Sequence, residues 1–385
     1  MYRKPYVVGV DQTLAQAVVG KPDQLIQSVG RNTGNIIFSE ALYNCVENAT
    51  RGNFQFTLDN LEGHDCIILA AANWLNPYED FGPLLERLEK TKVPIFIIGL
   101  GAQAKSTAAI PELKPNTRRL VEIIAERSPY LSVRGQFSAE VLEHYGITNV
   151  MVTGCPSLLL CGDRGPRIRA LRKKNPRNCV ISSTRHLMNG ADPFQLYLYR
   201  QAFKKDYYIA LQSELADYLM MSDECKLNEE NIRMLMDAYG ATDREALKSY
   251  LKRKGVLFSS LREWLLFLSK MEFCLGTRVH GTIASLLAGT PATLITHDER
   301  TRELARFMNI PHLDMKQVNT DCDLTIADFY SKEKMSRFVN GYKTYRENFR
   351  TFFKLNGLSL VDPKPSLSYK LKASARAMLT RFARW

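Results

Sequence analysis

Residues 273–295 read F-C-L-G-T-R-V-H-G-T-I-A-S-L-L-A-G-T-P-A-T-L-I. The stretch predicts a strand, a sharp turn at Gly276, a helix over 281–288, a second turn and a second strand over 292–295. Gly276 lets the chain turn where the strand ends, and Thr277 and Thr282 are expected to cap the helix. The helix opens with free backbone N–H groups, which together with its dipole favour an anion. Arg278 and His280 stand at that opening. A guanidinium can grip a carboxylate or phosphate through two hydrogen bonds, and an imidazole exchanges a proton near neutral pH.

The same alternation of short apolar runs and amphipathic stretches extends in both directions, which is the signature of an α/β fold with mainly parallel strands. In the first half strands are predicted at 6–10, 66–71, 94–99, 130–133 and 150–153, with helices near 36–47, 83–90, 117–127 and 138–145. A loop rich in Gly, Pro, Arg and Lys over 161–178 reads as a boundary. Beyond it come strands at 179–182, 207–211, 256–259, 273–275 and 292–295, and consecutive helices at 229–239 and 243–253. Residues 323–353 look helical. The expectation is two Rossmann-like domains facing a cleft, at 1–165 and 175–322, followed by C-terminal helices over 323–385. In such sheets ligands bind beyond the carboxyl ends of the strands.

The chain has 385 residues, 45% hydrophobic and 24% charged, an ordinary globular balance that supplies a core for each domain. Its first residues, Met1-Tyr2-Arg3-Lys4-Pro5-Tyr6, do not read as a signal peptide. The most apolar runs fall far short of the ~20 residues that span a bilayer. Eight cysteines without a C-x-x-C pair or zinc-ligand spacing suggest reduced thiols and no metal site. A cytoplasmic protein is expected. The formal charge is +12, and six Lys or Arg against one acid in 361–385 supply five of those charges. A positive field suits anionic ligands. Nucleic acid is not expected, because no recognition motif is present.

Other strand ends supply further candidates. Arg134 ends the strand at 130–133, with Ser138 expected to cap the helix that follows and Gly146 to close it. Gly154-Cys155-Pro156-Ser157 ends the next strand. Arg185 and His186 follow the strand at 179–182, and Gln212-Ser213-Glu214 follows the strand at 207–211. Trp74, within Asn73-Trp74-Leu75-Asn76, could stack on a sugar or lie buried. Gln103 closes Gly99-Leu100-Gly101-Ala102-Gln103, a lone G-x-G that is weak evidence for a dinucleotide. His297-Asp298-Glu299-Arg300 follows the last strand.

Two blocks, their order and their separation resemble the polysaccharide pyruvyl transferase family. Its V-R-x-x-x-S-x-x-x-L segment, followed by G-[IV]-x-x-V-x-V and a proline turn, stands at 132–160. Its G-x-R-x-H-G-x-I-x-[SA]-x-x-x-G-x-P block stands at 276–291. The family's early Asn-x-Gly-Asp turn is echoed by Asn32-Thr33-Gly34-Asn35, where Asn35 replaces the acid. Cys155 stands where an acid often precedes the proline. The resemblance spans roughly residues 30–310. It implies a fold like that of the GT-B glycosyltransferases, and transfer of the enolpyruvyl carbons of phosphoenolpyruvate to two sugar hydroxyls. Phosphoenolpyruvate would be a co-substrate, with no cofactor required.

The residues agree with that chemistry. A donor with a carboxylate and a phosphate needs cationic clamps and a helix N-terminus: Arg134, Arg278, Gly281 and Thr282. Ketal formation needs an acid/base group of near-neutral pKa, for which His280 is the candidate, with Arg278 stabilising developing charge. Arg185, Gln212, Asn32, Asn35, Trp74 and Gln103 are further cleft candidates. Leu367, Leu371, Met378, Phe382 and Trp385 can share one face of a basic amphipathic helix over 366–385. That stretch fits the inner face of a cell membrane and a lipid-linked oligosaccharide acceptor. Two rivals are a GT-B glycosyltransferase using a nucleotide sugar, with Glu214 or Glu299 on the ribose, and a non-catalytic carbohydrate-binding protein of the same fold. A nicotinamide-dependent enzyme ranks below these, since no full G-x-G-x-x-G follows the first strand.

Overall fold

The computed structural model describes residues 1–104, 109–184, 193–222 and 227–363. Its strands are β1 (Pro5–Gly9), β2 (Thr50–Asn53), β3 (Cys66–Ala70), β4 (Ile95–Ile98), β5 (Leu131–Val133) and β6 (Val150–Val152) in the first half. In the second half they are β7 (Cys179–Ile181), β8 (Tyr208–Leu211), β9 (Gly255–Leu257), β10 (Phe273–Gly276), β11 (Ala292–Thr296) and β12 (His312–Asp314). All pair in parallel. The first domain has the order β2-β1-β3-β4, extended through a parallel bridge between Leu100 and Val133 to the β5-β6 pair. The second has the order β12-β11-β10-β7-β8-β9. Strand order reverses between β1 and β3 in one and between β7 and β10 in the other, which marks the ligand-binding crevice of each. The expected pair of Rossmann-like domains is therefore observed.

Central strands are buried on both faces, as β3 is at all five residues, which is why they read as continuous apolar runs. Two edge strands were not legible in this way. β2 is Thr-Arg-Gly-Asn and β12 is His-Leu-Asp. Their place is held by backbone hydrogen bonds to β1 and β11, which leave no apolar signature.

The two domains share one core. The helix Asn35–Cys45 buries almost every side chain. Its Ile36, Phe38 and Leu42 belong to the same cluster as Ile283 and Leu286 of the helix Val279–Leu287 and Trp264 of the helix Leu261–Leu268. The long helix Lys332–Leu355 returns to the first domain. Tyr345 donates to the carbonyl of Cys155 at 2.6 Å, Tyr342 to that of Gly162 at 2.8 Å, and Arg346 Nε pairs with Asp163 at 2.6 Å. The basic tail at 366–385 lies outside the described residues. Among the described residues no helix is long and apolar enough to cross a membrane.

The turn after β10 differs from expectation. Gly276 is the last strand residue and has no left-handed φ. A Cβ there would lie 1.9 Å from the carbonyl oxygen of Ser182, at the end of β7. A Cβ on Gly281 would lie 2.0 Å from Ser182 Oγ. Both glycines are required by close approach. Gly276→Ala meets backbone and is expected to cost about 3 kcal/mol or more in urea unfolding. Gly281→Ala meets Ser182 Oγ at 2.0 Å and Ser182 Cβ at 2.8 Å, side-chain atoms that yield more easily than backbone, and gains helix propensity, so it costs less. Equal losses in the two variants would refute this account.

Candidate active site

The second-domain wall of the cleft is built on β10. Arg278 is the N-cap residue of the helix Val279–Leu287, in extended conformation. The helix thus begins two residues earlier than the sequence predicts. One terminal nitrogen of Arg278 donates to Ser213 Oγ and to the Glu214 carboxylate, on the loop after β8. Glu214 also accepts from the N–H groups of Gln212 (2.8 Å) and Ser213 (3.0 Å). Burial alone would raise its pKa; the Arg278 charge and these bonds outweigh that and hold it below the usual carboxylate range. Arg278 therefore pairs with an acid, yet its Nε is buried with no hydrogen-bond partner among the described residues.

The expected threonine caps are not observed. Thr277 Oγ1 accepts from Thr184 N at 2.8 Å and lies 3.2 Å from Ser183 Oγ, tying the ends of β10 and β7 together. Thr282 is fully buried inside the helix and donates to the Arg278 carbonyl at 3.2 Å. It does not line the cleft, and Gly281 faces Ser182 and Gln212. The N–H groups of Val279, His280 and Gly281 are those that a helix starting here leaves without an intrahelical acceptor.

The first-domain wall carries Arg134, directly after β5. It is 4% exposed and is gripped by its own domain: Nε to Gly99 O at 2.8 Å, one terminal nitrogen to Asn73 Oδ1 at 2.9 Å, the other to Ala71 O at 3.2 Å. Its guanidinium lies 5.6 Å from the centre of the Phe38 ring, a cation–π contact. Among the described residues no carboxylate comes within 4 Å of it. Burial holds its pKa below the ordinary guanidinium value, and the Arg300 charge adds to that. Asn32 and Asn35 line the same cleft. Asn32 Oδ1 accepts from Gly34 N at 2.8 Å, and Asn35 Nδ2 donates to Val29 O at 3.0 Å.

His280 lies between the walls. Its ring sits 5.4 Å from the Phe38 ring, and its Nε2 is 3.5 Å from Cys155 Sγ. The residue that stands in place of an acid thus touches the imidazole. Burial pushes the His280 pKa well below its ordinary value, and the charges of Arg134, Arg300 and Arg278 push it the same way. The near-neutral pKa expected from sequence is overturned for the free protein: the imidazole is neutral at pH 7. Among the described lining residues there is no carboxylate.

Arg278, His280, Arg134, Gln212, Asn32 and Asn35 are therefore brought together. Gln212 is 1% exposed and donates to Ser182 Oγ at 3.0 Å. Trp74 is not a sugar platform: it is 8% exposed and packs between Phe81 (4.6 Å) and Phe54 (5.8 Å). Gln103 is exposed and outside the cleft lining. Arg185 and His186 lie outside the described residues. His297 faces Asp298 at 3.7 Å and does not line the cleft. Three polar lining residues had no role assigned from sequence: Asn73 after β3, Thr184 after β7 and Arg300 after β11. All follow strand ends, and that was the signal for them. Arg300 pairs with Asp298 at 3.2 Å, while its Nε is buried without a partner among the described residues.

Two parallel α/β domains about one arginine-lined cleft form the GT-B-like arrangement that the resemblance implies. The model of the family "Polysaccharide pyruvyl transferase" matches residues 19–299. The chain belongs to that family, a family of transferases. No curated protein matches the chain. Among solved structures it is similar to MnaA of S. aureus in complex with UDP (10% identity, 99% of this chain and 97% of that one, TM-score 0.41). It is also similar to UDP-GlcNAc 2-epimerase from Neisseria meningitidis bound to UDP-GlcNAc (12% identity, 99% of each chain, TM-score 0.37).

A neutral buried His280 has a consequence for stability. Its folded pKa lies below its unfolded value of about 6.5, so below that pH the unfolded chain binds more protons than the native one. Native stability should fall as pH drops through 6.5, by up to about 1.4 kcal/mol per pH unit from this group. Urea unfolding at pH 7 and pH 5.5 should show a smaller pH-induced loss in His280→Gln than in the wild type. An identical loss would mean that His280 is not held neutral.

Proposed function

We propose that this protein transfers the enolpyruvyl carbons of phosphoenolpyruvate to two hydroxyls of a sugar in an exopolysaccharide or cell-surface glycan precursor, forming a pyruvate ketal. The observation that carries the reading is the set of three guanidiniums, Arg134, Arg278 and Arg300, around one cleft with no carboxylate among its described lining residues. Two of them hold a buried, unpartnered N–H, which a bound anion can satisfy. Membership of the polysaccharide pyruvyl transferase family supports the pyruvyl transfer.

Phosphoenolpyruvate brings a carboxylate and a phosphate to these cations and to the free N–H groups opening the helix Val279–Leu287. Its negative charge raises the His280 pKa, so donor binding draws a proton onto the imidazole. That proton goes to the methylene carbon, leaving a cation at C2. One sugar hydroxyl bonds to C2 and returns its proton to His280. The C2–O bond to phosphate then breaks, the second hydroxyl closes the ring, and its proton leaves with phosphate. Arg134 and Arg278 stabilise the charge that develops on the departing group. Asn32, Asn35 and Asn73 present amides suited to uncharged hydroxyls. Against the nucleotide-sugar rival, Glu214 is paired with Arg278, and Glu299 with Arg302 and Arg306.

Isothermal titration should show binding of phosphoenolpyruvate and none of UDP or GDP. Arg134→Ala and Arg278→Ala should each weaken it by roughly ten- to a hundredfold. His280→Ala should lower turnover by about 10²- to 10⁴-fold. At pH 6, titrations in buffers of different ionisation enthalpy should show more proton uptake for the wild type than for His280→Ala. Nucleotide binding in place of phosphoenolpyruvate would turn the reading to the glycosyltransferase rival.

A further inference from the structure

Each wall of the cleft holds its own arginine. Arg134 is held entirely by first-domain carbonyls and Asn73. Arg278 is held by Ser213 and Glu214 of the second domain. Besides the shared core, hydrogen bonds across the interface set these walls against each other near the cleft. Thr33 N donates to Gln212 O at 3.0 Å, and Leu261 N to Gln12 Oε1 at 3.0 Å. A third contact involves a charge.

Glu303 lies on the second-domain helix Glu299–Phe307, whose Arg300 and Leu304 line the cleft. Its side chain crosses to the first domain. There Oε2 accepts from Phe137 N at 3.0 Å and Ser138 N at 3.4 Å, and Oε1 accepts from Ser138 Oγ at 2.9 Å. These are N–H groups of the first turn of the helix Gln136–His144, which has no side-chain cap of its own, its N-cap residue being Gly135. Ser138, expected to be that cap, sits inside the helix. The missing cap comes from the other domain. The position suits an anion, because the helix N-terminus carries unsatisfied donors and partial positive charge. Burial raises the Glu303 pKa, while the bonds from Ser138 and Phe137 oppose that. Gly135 makes room: a Cβ there would lie 2.4 Å from Glu303 Oε2. The helix that receives the cap starts just after Arg134.

We propose that Glu303 is a positioning residue, an interdomain cap that holds the first-domain arginine, Arg134, in register with Arg278 and His280. The proposal rests on the anion-binding reading of the cleft, since register matters only to a ligand that touches both walls. Reach, rather than charge, is the requirement. A ligand bridging both walls restores register once bound, so the cost of losing the cap falls on affinity rather than on turnover at saturation.

Three variants separate these points. Glu303→Gln keeps the length and can still accept from the Phe137 and Ser138 N–H groups. Glu303→Asp keeps the charge and loses the reach. Gly135→Ala leaves the carboxylate intact but displaces it; the Gly135 backbone is extended, so alanine fits its conformation. Glu303→Gln is expected within threefold of wild type in the Kd and KM for phosphoenolpyruvate. Glu303→Asp and Gly135→Ala should raise both at least tenfold, with kcat changed less than threefold. Without any ligand, the amides of Phe137 and Ser138 should exchange hydrogen faster in those two variants only. Unchanged exchange, or faster exchange with unchanged affinity, overturns the proposal. If the wild type does not bind phosphoenolpyruvate, the donor reading fails by itself. The cap is then judged by small-angle scattering, where a larger radius of gyration in Glu303→Asp and Gly135→Ala supports it and an unchanged radius overturns it.

Discussion

The end of β7 and the start of the helix Val279–Leu287 are pressed together with no room for a side chain at Gly276 or Gly281. The rest of the cleft depends on that approach. It puts Ser182, Thr184 and Thr277 at one point and aims Arg278 and His280 toward the first domain. Ile283 and Leu286 of that helix share one buried cluster with Phe38 and Leu42, so that the floor of the cleft and the shared core are one packing unit. A larger residue at Gly276 would press on the Ser182 backbone and push the helix off the strand end, whereas one at Gly281 would have to displace the Ser182 side chain.

Against that floor the protein gathers positive charge away from water. Desolvating three guanidiniums is unfavourable unless their donors find acceptors. Arg134 finds them in neutral carbonyls and an amide, and so keeps its charge uncompensated at close range. Arg278 and Arg300 each spend part of their capacity on a carboxylate and leave a buried N–H over. The field that results also acts on His280, whose proton is expelled by burial and by the same cations. An anion that entered would reverse both effects at once. Ligand affinity and the protonation state of His280 are therefore one electrostatic problem.

Much of this was legible. A polar or basic residue directly after an apolar run marks a strand end, and Arg134, Arg278, His280 and Gln212 were found that way. Asn73 and Arg300 sat at the same kind of position, within segments quoted as strand ends, but no role was assigned to them. Trp74 was open between stacking and burial, because an aromatic at a strand end can face inward as easily as outward. Here Phe54 and Phe81 close over it. Ser138 misled because the helix begins earlier than its side chain suggested. Its true partner, Glu303, is 165 residues away and inside another helix.

By itself the sequence determined the class of fold, the two parallel sheets, the ends at which chemistry could lie, and the resemblance that the family match then established. These follow from local patterns: apolar period, glycine and proline punctuation, and motif spacing. Tertiary structure alone decided which strand ends share a cleft and that the His280 imidazole is neutral. It also decided that Thr282 and Trp74 serve the core, and that one domain caps a helix of the other. Each of these depends on distances between residues far apart in the chain. Burial, Coulomb interaction and hydrogen bonding act through space, and the order of residues does not record that space.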